Sequence, residues 1–85
     1  MFTGIVESLS KIIKIEKEGT NLNISFESEL INELNVDQSI SHNGVCLTIV
    51  KVQDNMYTIN AIKETISKSN IASWKVGDKV NIERA

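Results

Sequence analysis

Residues 42–53 read His-Asn-Gly-Val-Cys-Leu-Thr-Ile-Val-Lys-Val-Gln, and this stretch determines the expected fold. The Asn43-Gly44 pair favours a two-residue type I′ turn, because both central positions of that turn need positive φ. The β-branched residues that follow predict a long strand over Val45–Gln53. Asp54-Asn55 indicates a second tight turn, after which Met56–Ile62 is expected to return as a neighbouring strand. The centre of the chain therefore predicts antiparallel β structure.

The chain before this stretch shows the same β pattern. Hydrophobic and polar residues alternate over Thr20–Glu27, which is typical of a strand with one buried face. Ile5–Ile15 is rich in β-branched residues and carries two lysines, so it is expected to be a first strand with a bulge. The segment 17–20 is the predicted turn between these two strands.

Two short strands and two helical connections complete the predicted architecture. Ser39–His42 and Lys79–Glu83 are the expected strands. Ser28–Leu34 is expected to form one or two helical turns, and Ile66–Ser73 a short helix with Thr65 as its N-cap. About six short strands predict an all-β fold, a small closed six-stranded antiparallel Greek-key barrel with one or two short helices. The chain has no proline to protect an open edge, which favours closure.

A weak internal echo is consistent with such a barrel. Leu34–Ser41 and Trp74–Asn81 share an eight-residue pattern. Each begins with a bulky residue, has valine at its third position and two turn residues directly after it, and ends with an aliphatic and then a polar residue. Two equivalent entries from a turn into a strand are what a pseudo-symmetric barrel needs.

Composition excludes several classes of function. The 85 residues suffice for one domain, and a net charge of −2 without a basic cluster gives no basis for nucleic-acid binding. No apolar run approaches the roughly 20 residues that span a bilayer, and the amino terminus lacks the features of a signal peptide. One cysteine and one histidine make neither a disulfide nor a structural zinc site. We therefore expect a soluble, cytosolic, metal-free protein.

The alternation of side chains along Val45–Gln53 predicts which face of this strand carries the reactive groups. Leu47 and Ile49 belong in the core, so Cys46 and Thr48 are expected to point outward or towards a cleft. Lys51 cannot lie in a barrel interior, which predicts a bulge and a change of phase at this point of the strand.

Several polar segments allow either a structural or a functional interpretation. Cys46 is either a small buried hydrophobe or a functional thiol, and His42 either a hydrogen-bonding turn residue or the base of a Cys–His pair that lacks a third group. Thr3–Val6 is either a frayed end or a place where backbone approaches a ligand. Asn60–Thr65 is either a solvated loop or a polar binding rim. Trp74 is expected to pack in the core or at its rim.

Four segments together resemble riboflavin synthase, in the same order and spacing over the whole chain. They are Met1–Glu7, His42–Thr48, Lys63–Thr65 and Val76–Arg84. The resemblance implies a six-stranded Greek-key barrel that occurs twice in a full-length member of the family. It also implies an enzyme that dismutates two molecules of 6,7-dimethyl-8-ribityllumazine to riboflavin and 5-amino-6-ribitylaminouracil, with no metal and no organic cofactor.

The resemblance also implies a site on this chain. Ser39 and Cys46 match positions implicated in catalysis. The implied substrate-binding residues form three groups: Gly4, Ile5 and Val6; Cys46, Leu47 and Thr48; and Asn60, Ala61, Ile62, Lys63, Glu64 and Thr65. The expected partners are a lumazine or flavin and other copies of the chain, as a homodimer for this domain alone and a homotrimer for the full-length enzyme.

The chain reaches only Ala85, where the family begins its second barrel. We therefore expect the first of two repeats, present either as a shortened chain or as a natural single-barrel relative, that binds ligand but has little activity alone. Two alternatives remain: a non-catalytic lumazine or flavin carrier with the same fold, and a small β-barrel that serves as a protein-interaction module.

Overall fold

Six antiparallel strands form the barrel in the computed structural model, which describes residues 8–84. The strands are β1 (Ser8–Glu18), β2 (Asn21–Ser28), β3 (Ser39–His42), β4 (Val45–Gln53), β5 (Met56–Ala61) and β6 (Lys79–Arg84). Their order around the barrel is β1-β2-β5-β4-β3-β6, and β6 pairs with β1 to close it. The predicted closed six-stranded antiparallel barrel is confirmed.

Both predicted two-residue turns have the required backbone conformation. Asn43 and Gly44 join β3 to β4 with φ of 51° and 86°, and Asp54 and Asn55 join β4 to β5 with φ of 52° and 64°. These left-handed values match the right-handed twist of the strands on either side. The turn residues therefore set the register of two hairpins.

Both expected bulges are present. The register between β1 and β2 shifts between Ile12 and Lys14, and the register between β4 and β5 shifts between Ile49 and Lys51. In each strand the isoleucine is fully buried and the lysine is exposed. The extra residue thus returns the lysine to the outer face, where its charge stays hydrated.

The first helical connection agrees with the prediction, whereas the second begins earlier than predicted and is divided in two. Ser28–Leu34 contains one 3-10 turn, and the second connection contains α1 (Lys63–Ser67) followed by another 3-10 turn at Ile71–Ser73. Thr65 is not an N-cap, because it lies inside α1, whose N-cap position is Ile62 and has no side-chain cap. The helix begins directly after β5, and this start lets its Ile66 pack against the core. That packing outweighs the preference of Thr65 for the N-cap position, which is worth about 1 kcal/mol. No helix within residues 8–84 is long and apolar enough to cross a membrane.

Aromatic rings fill one part of the barrel interior. Phe26 and Tyr57 are fully buried and stack with ring centroids 5.1 Å apart. Trp74 is 8% exposed and meets Phe26 edge-to-face at 6.2 Å, which confirms its predicted packing role. Aliphatic residues from the strands and from both connections complete the core.

The barrel has a pseudo-two-fold arrangement in which β1, β2 and β3 correspond to β4, β5 and β6. Exchanging these two sets preserves every neighbour relation around the barrel. The pseudo-two-fold axis passes between Ser25 and Thr58, which are paired in the β2–β5 ladder and whose hydroxyl oxygens are 2.8 Å apart. Both bulges lie at equivalent positions under this exchange.

The internal echo of the sequence forms two matching turns under the same exchange. Leu34 and Trp74 are buried, whereas Val36 and Val76 are exposed. The turns make equivalent backbone hydrogen bonds: Asp37 N–H to Ile49 O (2.8 Å) and Ile49 N–H to Gln38 O (2.9 Å), and Gly77 N–H to Ile12 O (2.8 Å) and Ile12 N–H to Asp78 O (2.9 Å). A local similarity of sequence therefore produces the same local structure twice.

Candidate functional site

The outer face of β3 and β4 carries a patch of hydroxyl and thiol groups. Cys46 and Thr48 are exposed while Leu47 is buried, as the alternation predicts. Across the ladder, Ser39 lies opposite Thr48 and Ser41 opposite Cys46. The Ser39 and Thr48 hydroxyl oxygens are 3.5 Å apart. The two candidate catalytic residues, Ser39 and Cys46, therefore share one face of the barrel.

Beside this patch the ladder between β4 and β5 ends early. Within residues 8–84 its last pair is Ile49 with Ile59, although β4 begins at Val45 and β5 runs on to Ala61. We call the space between Val45–Thr48 and Asn60–Ala61 the β4–β5 opening. Leu47 and Ala61 are buried and turn their side chains into the core, so they can offer only backbone to the opening.

The pseudo-symmetric half of the barrel shows what a closed ladder would be. There the ladder of β1 and β2 continues past Ile12 and Phe26 through the pairs Lys11 with Glu27 and Ser10 with Ser28. The equivalent pairs in β4 and β5 would be Thr48 with Asn60 and Leu47 with Ala61. Their absence from the β4–β5 ladder distinguishes this end of the barrel from its symmetry mate.

Backbone groups of Thr48 are directed towards β5. Ile49 uses both its N–H and its C=O for hydrogen bonds on the β3 side, to Gln38 and Asp37. Successive residues of a strand direct these groups to opposite sides, so the N–H and C=O of Thr48 are directed towards β5. Both backbone groups of Thr48 therefore lie on the edge of β4 that faces β5, where the ladder ends.

The rim after β5 combines small, apolar and charged residues. Ile62 is 50% exposed, and Thr65 is half-buried. The Glu64 carboxylate accepts a 2.7 Å hydrogen bond from Lys68, so this side chain is directed along α1. Lys63 lines a separate, mainly apolar cavity of about 590 Å³ together with Ile66 and Trp74. Three predicted binding residues, Gly4, Ile5 and Val6, lie outside the described residues.

His42 does not pair with Cys46. Its ring is fully buried in the barrel, 4.9 Å from the Phe26 ring, whereas the thiol lies on the outer face. The Nδ1–H of His42 donates to Ile40 O at 3.0 Å, so Nε2 accepts a hydrogen bond from the Tyr57 hydroxyl at 2.8 Å. The hypothesis of a Cys–His nucleophilic pair is therefore wrong.

Burial shifts the ionisation of this interior network. Desolvation lowers the pKa of His42 to about 4, although the hydrogen bond to Ile40 opposes the shift. Desolvation also raises the pKa of Tyr57, against a smaller opposing effect of its 3.0 Å hydrogen bond with Ser10. Each buried side-chain nitrogen or oxygen in residues 8–84 has a partner, so the network has a structural role.

A polar groove of about 650 Å³ follows the outer faces of β1, β2, β4 and β5, and Asn60 is one of the residues that line it. Asn60 donates to Asn23 Oδ1 at 2.7 Å and accepts from Asn21 Nδ2 at 3.4 Å. Asn21 and Asn23 are site neighbours that the sequence interpretation missed. Their only signal is that they occupy the outward polar positions of β2. In the described part of the chain, no group of three or more His, Cys, Asp or Glu residues could hold a metal ion.

Comparison with known proteins identifies close relatives of this barrel. Residues 3–85 match the family described as "Lumazine binding domain". The riboflavin synthase of Escherichia coli (strain K12) is 35% identical over 88 residues, which cover 100% of this chain and 41% of the enzyme. That of Photobacterium phosphoreum is 36% identical over 87 residues, covering 100% and 40%. The chain thus spans about two fifths of the length of these relatives.

Solved structures with the same fold contain bound ligands. The crystal structure of LumP complexed with riboflavin has a TM-score of 0.91 and 26% identity, covering 99% of this chain and 46% of LumP. LumP complexed with 6,7-dimethyl-8-(1'-D-ribityl) lumazine has a TM-score of 0.90 and 26% identity, covering 99% and 47%.

Proposed function

Because the chain belongs to the lumazine-binding domain family, we propose that its barrel binds 6,7-dimethyl-8-ribityllumazine or riboflavin at the β4–β5 opening. The observation that carries this proposal is the early end of the β4–β5 ladder, which the symmetry-related ladder does not share. A planar ring whose edge has alternating carbonyl and N–H groups could take the place of the missing strand pair. It would exchange hydrogen bonds with the backbone of Thr48 and of the chain near Ile62.

The side chains around the opening suit the rest of such a ligand. Cys46, Thr48 and Asn60 lie beside the opening with thiol, hydroxyl and amide groups. Hydroxyl and amide groups can bind the hydroxyls of a ribityl arm. The rim from Ile62 to Thr65 adds apolar contact area and further polar groups, and Gly4, Ile5 and Val6 remain proposed contacts.

We further propose that the domain is the first barrel of a riboflavin synthase. Two lumazines would have to be held face to face so that a four-carbon unit passes from one to the other, giving riboflavin and the ribitylamino-pyrimidine. Orientation of the two rings would supply much of the rate, without a metal or organic cofactor. Ser39 and Cys46, which share the outer face beside the opening, are the proposed catalytic residues.

The ligand would then lie between two barrels, which implies self-association. We propose a homodimer for this domain alone, a homotrimer for the longer enzyme, and a location in the cytoplasm. A carrier without catalytic activity is the second candidate, because LumP, which has the same fold, holds riboflavin and the lumazine as bound ligands. A chain extended by a second barrel would convert lumazine to riboflavin if it is the enzyme and would only bind it if it is a carrier.

Titration with riboflavin tests the binding proposal. We expect quenching and polarisation of riboflavin fluorescence on addition of micromolar protein. Thr48→Val removes the side-chain hydroxyl and should weaken riboflavin binding by about 3- to 10-fold, which corresponds to the loss of one neutral hydrogen bond. Thr20→Val is the matched control, since Thr20 is also exposed but lies in the turn between β1 and β2. No fluorescence change with the unmodified protein, or equal effects of both variants, would contradict the proposal.

A further inference from the structure

A chain of four polar side chains runs across β1, β2 and β5 to the edge of the β4–β5 opening. Asn23 donates from Nδ2 to Glu18 Oε2 at 3.3 Å. Asn60 donates from Nδ2 to Asn23 Oδ1 at 2.7 Å, and Asn21 donates from Nδ2 to Asn60 Oδ1 at 3.4 Å. Asn23 and Asn60 lie directly opposite each other in the β2–β5 ladder, which brings their side chains together on the outer face.

The carboxylate at one end determines the orientation of every amide in this chain. A carboxylate only accepts hydrogen bonds, so Asn23 must turn its NH₂ group towards Glu18 and its oxygen towards Asn60. Asn60 must then present its own NH₂ group to that oxygen, and its Oδ1 is left to face Asn21. An isolated exposed asparagine would have no such preference between its two amide orientations.

We propose that Glu18 and Asn23 are positioning residues that orient the Asn60 amide for the polyol arm of the ligand. An amide has two N–H donors and two oxygen lone pairs, and Asn23 and Asn21 use one of each. One donor and one acceptor of Asn60 remain, and Asn60 lines the polar groove together with Glu18 and Asn23. A sugar-alcohol hydroxyl both donates and accepts, so it can satisfy both at once. The site therefore selects rings that carry a ribityl arm over the same rings without it.

This inference rests on the proposed ligand site, and two flavins separate the two claims. Lumiflavin has the ring of riboflavin with a methyl group in place of the ribityl arm. Asn23→Leu removes the acceptor that holds Asn60, so it should weaken riboflavin binding by about 3- to 10-fold and leave lumiflavin binding unchanged. Asn81→Leu is the control, since Asn81 is an exposed asparagine on the outer face of β6.

A rescue variant distinguishes orientation from general damage. In the double variant Glu18→Gln/Asn23→Asp the carboxylate has moved to position 23, where it accepts from Asn60 and from the new glutamine. Asn60 keeps its orientation, so the preference for riboflavin over lumiflavin should return to its original value. The side-chain NH₂ signals of Asn60 in a ¹⁵N spectrum of the ligand-free protein should change in Asn23→Leu and be restored in the double variant.

Each result decides between the claims. Equal weakening of both flavins by Asn23→Leu, or no weakening of either, would overturn the positioning role while leaving the ligand site intact. Unchanged Asn60 NH₂ signals in Asn23→Leu would overturn it without reference to any ligand. Failure of the unmodified protein to bind either flavin would refute the ligand site and, with it, the selectivity.

Discussion

The buried imidazole of His42 should make the barrel lose stability in mildly acidic solution. The folded protein holds this pKa at about 4, below the ordinary value of 6.5, because the ring is desolvated. The unfolded chain therefore takes up the proton at a higher pH than the folded protein does. The stabilisation is complete above about pH 6.5 and is lost as the pH falls towards 4.

The size of the effect follows from the shift. A difference of about 2.5 pKa units corresponds to about 3 kcal/mol in total, of which about 2 kcal/mol is already lost near pH 5. An 85-residue domain has a free energy of unfolding of roughly 4 to 13 kcal/mol, so this loss is a substantial fraction of it. His42 should thus dominate the acid sensitivity of the barrel between about pH 7 and 5.

Urea unfolding followed by the fluorescence of Trp74 measures this dependence, because Trp74 is buried against Phe26 in the folded state. His42→Gln removes the titrating group and should abolish most of the loss between about pH 7 and 5. Tyr57→Phe keeps the buried imidazole and should keep the loss, since desolvation is the larger cause of the shift. A pH dependence of the same size in His42→Gln would refute the reasoning.

Two further predictions concern stability at neutral pH. Tyr57→Phe should lower the free energy of unfolding by about 1 to 3 kcal/mol, because His42 Nε2 and Ser10 lose their shared partner inside the barrel. A urea midpoint equal to that of the unmodified protein would contradict this. Gly44→Ala should cost about 1 to 2 kcal/mol through its φ of 86° alone, since nothing lies within 4 Å of the added carbon. Thermal melting of Gly44→Ala beside Ser67→Ala, a change at an exposed helical residue, separates backbone strain from a general effect of substitution.

Local patterns in the sequence predict the strands and the tight turns, except that β1 continues to Glu18, beyond the predicted end at Ile15. Alternation over Thr20–Glu27 gives the buried face of β2, and Asn43-Gly44 gives the turn into β4. The position of Lys51 was enough to predict a bulge, because burying an unpaired charge is too costly. Thr65 was misinterpreted because a capping signal is local, whereas the start of α1 depends on where β5 ends and on what Ile66 packs against.

The candidate site is less accessible to sequence reasoning because it depends on contacts between distant residues. Asn23 and Asn60 are 37 residues apart and meet only through the register of β2 and β5. His42 lies beside a tight turn, and only the complete barrel shows that its ring points inward to Tyr57. The early end of the β4–β5 ladder has no local signature, since its symmetry mate in β1 and β2 continues from an equivalent bulge.

The pseudo-two-fold arrangement also determines how the barrel comes apart. Of the six junctions between neighbouring strands, only β1–β2 and β4–β5 join strands of the same half, and the other four join the two halves. The third strand of each half pairs only with strands of the other half, so neither half can complete a sheet by itself. Damage to either half therefore breaks junctions of both, and the barrel should open in a single all-or-none transition.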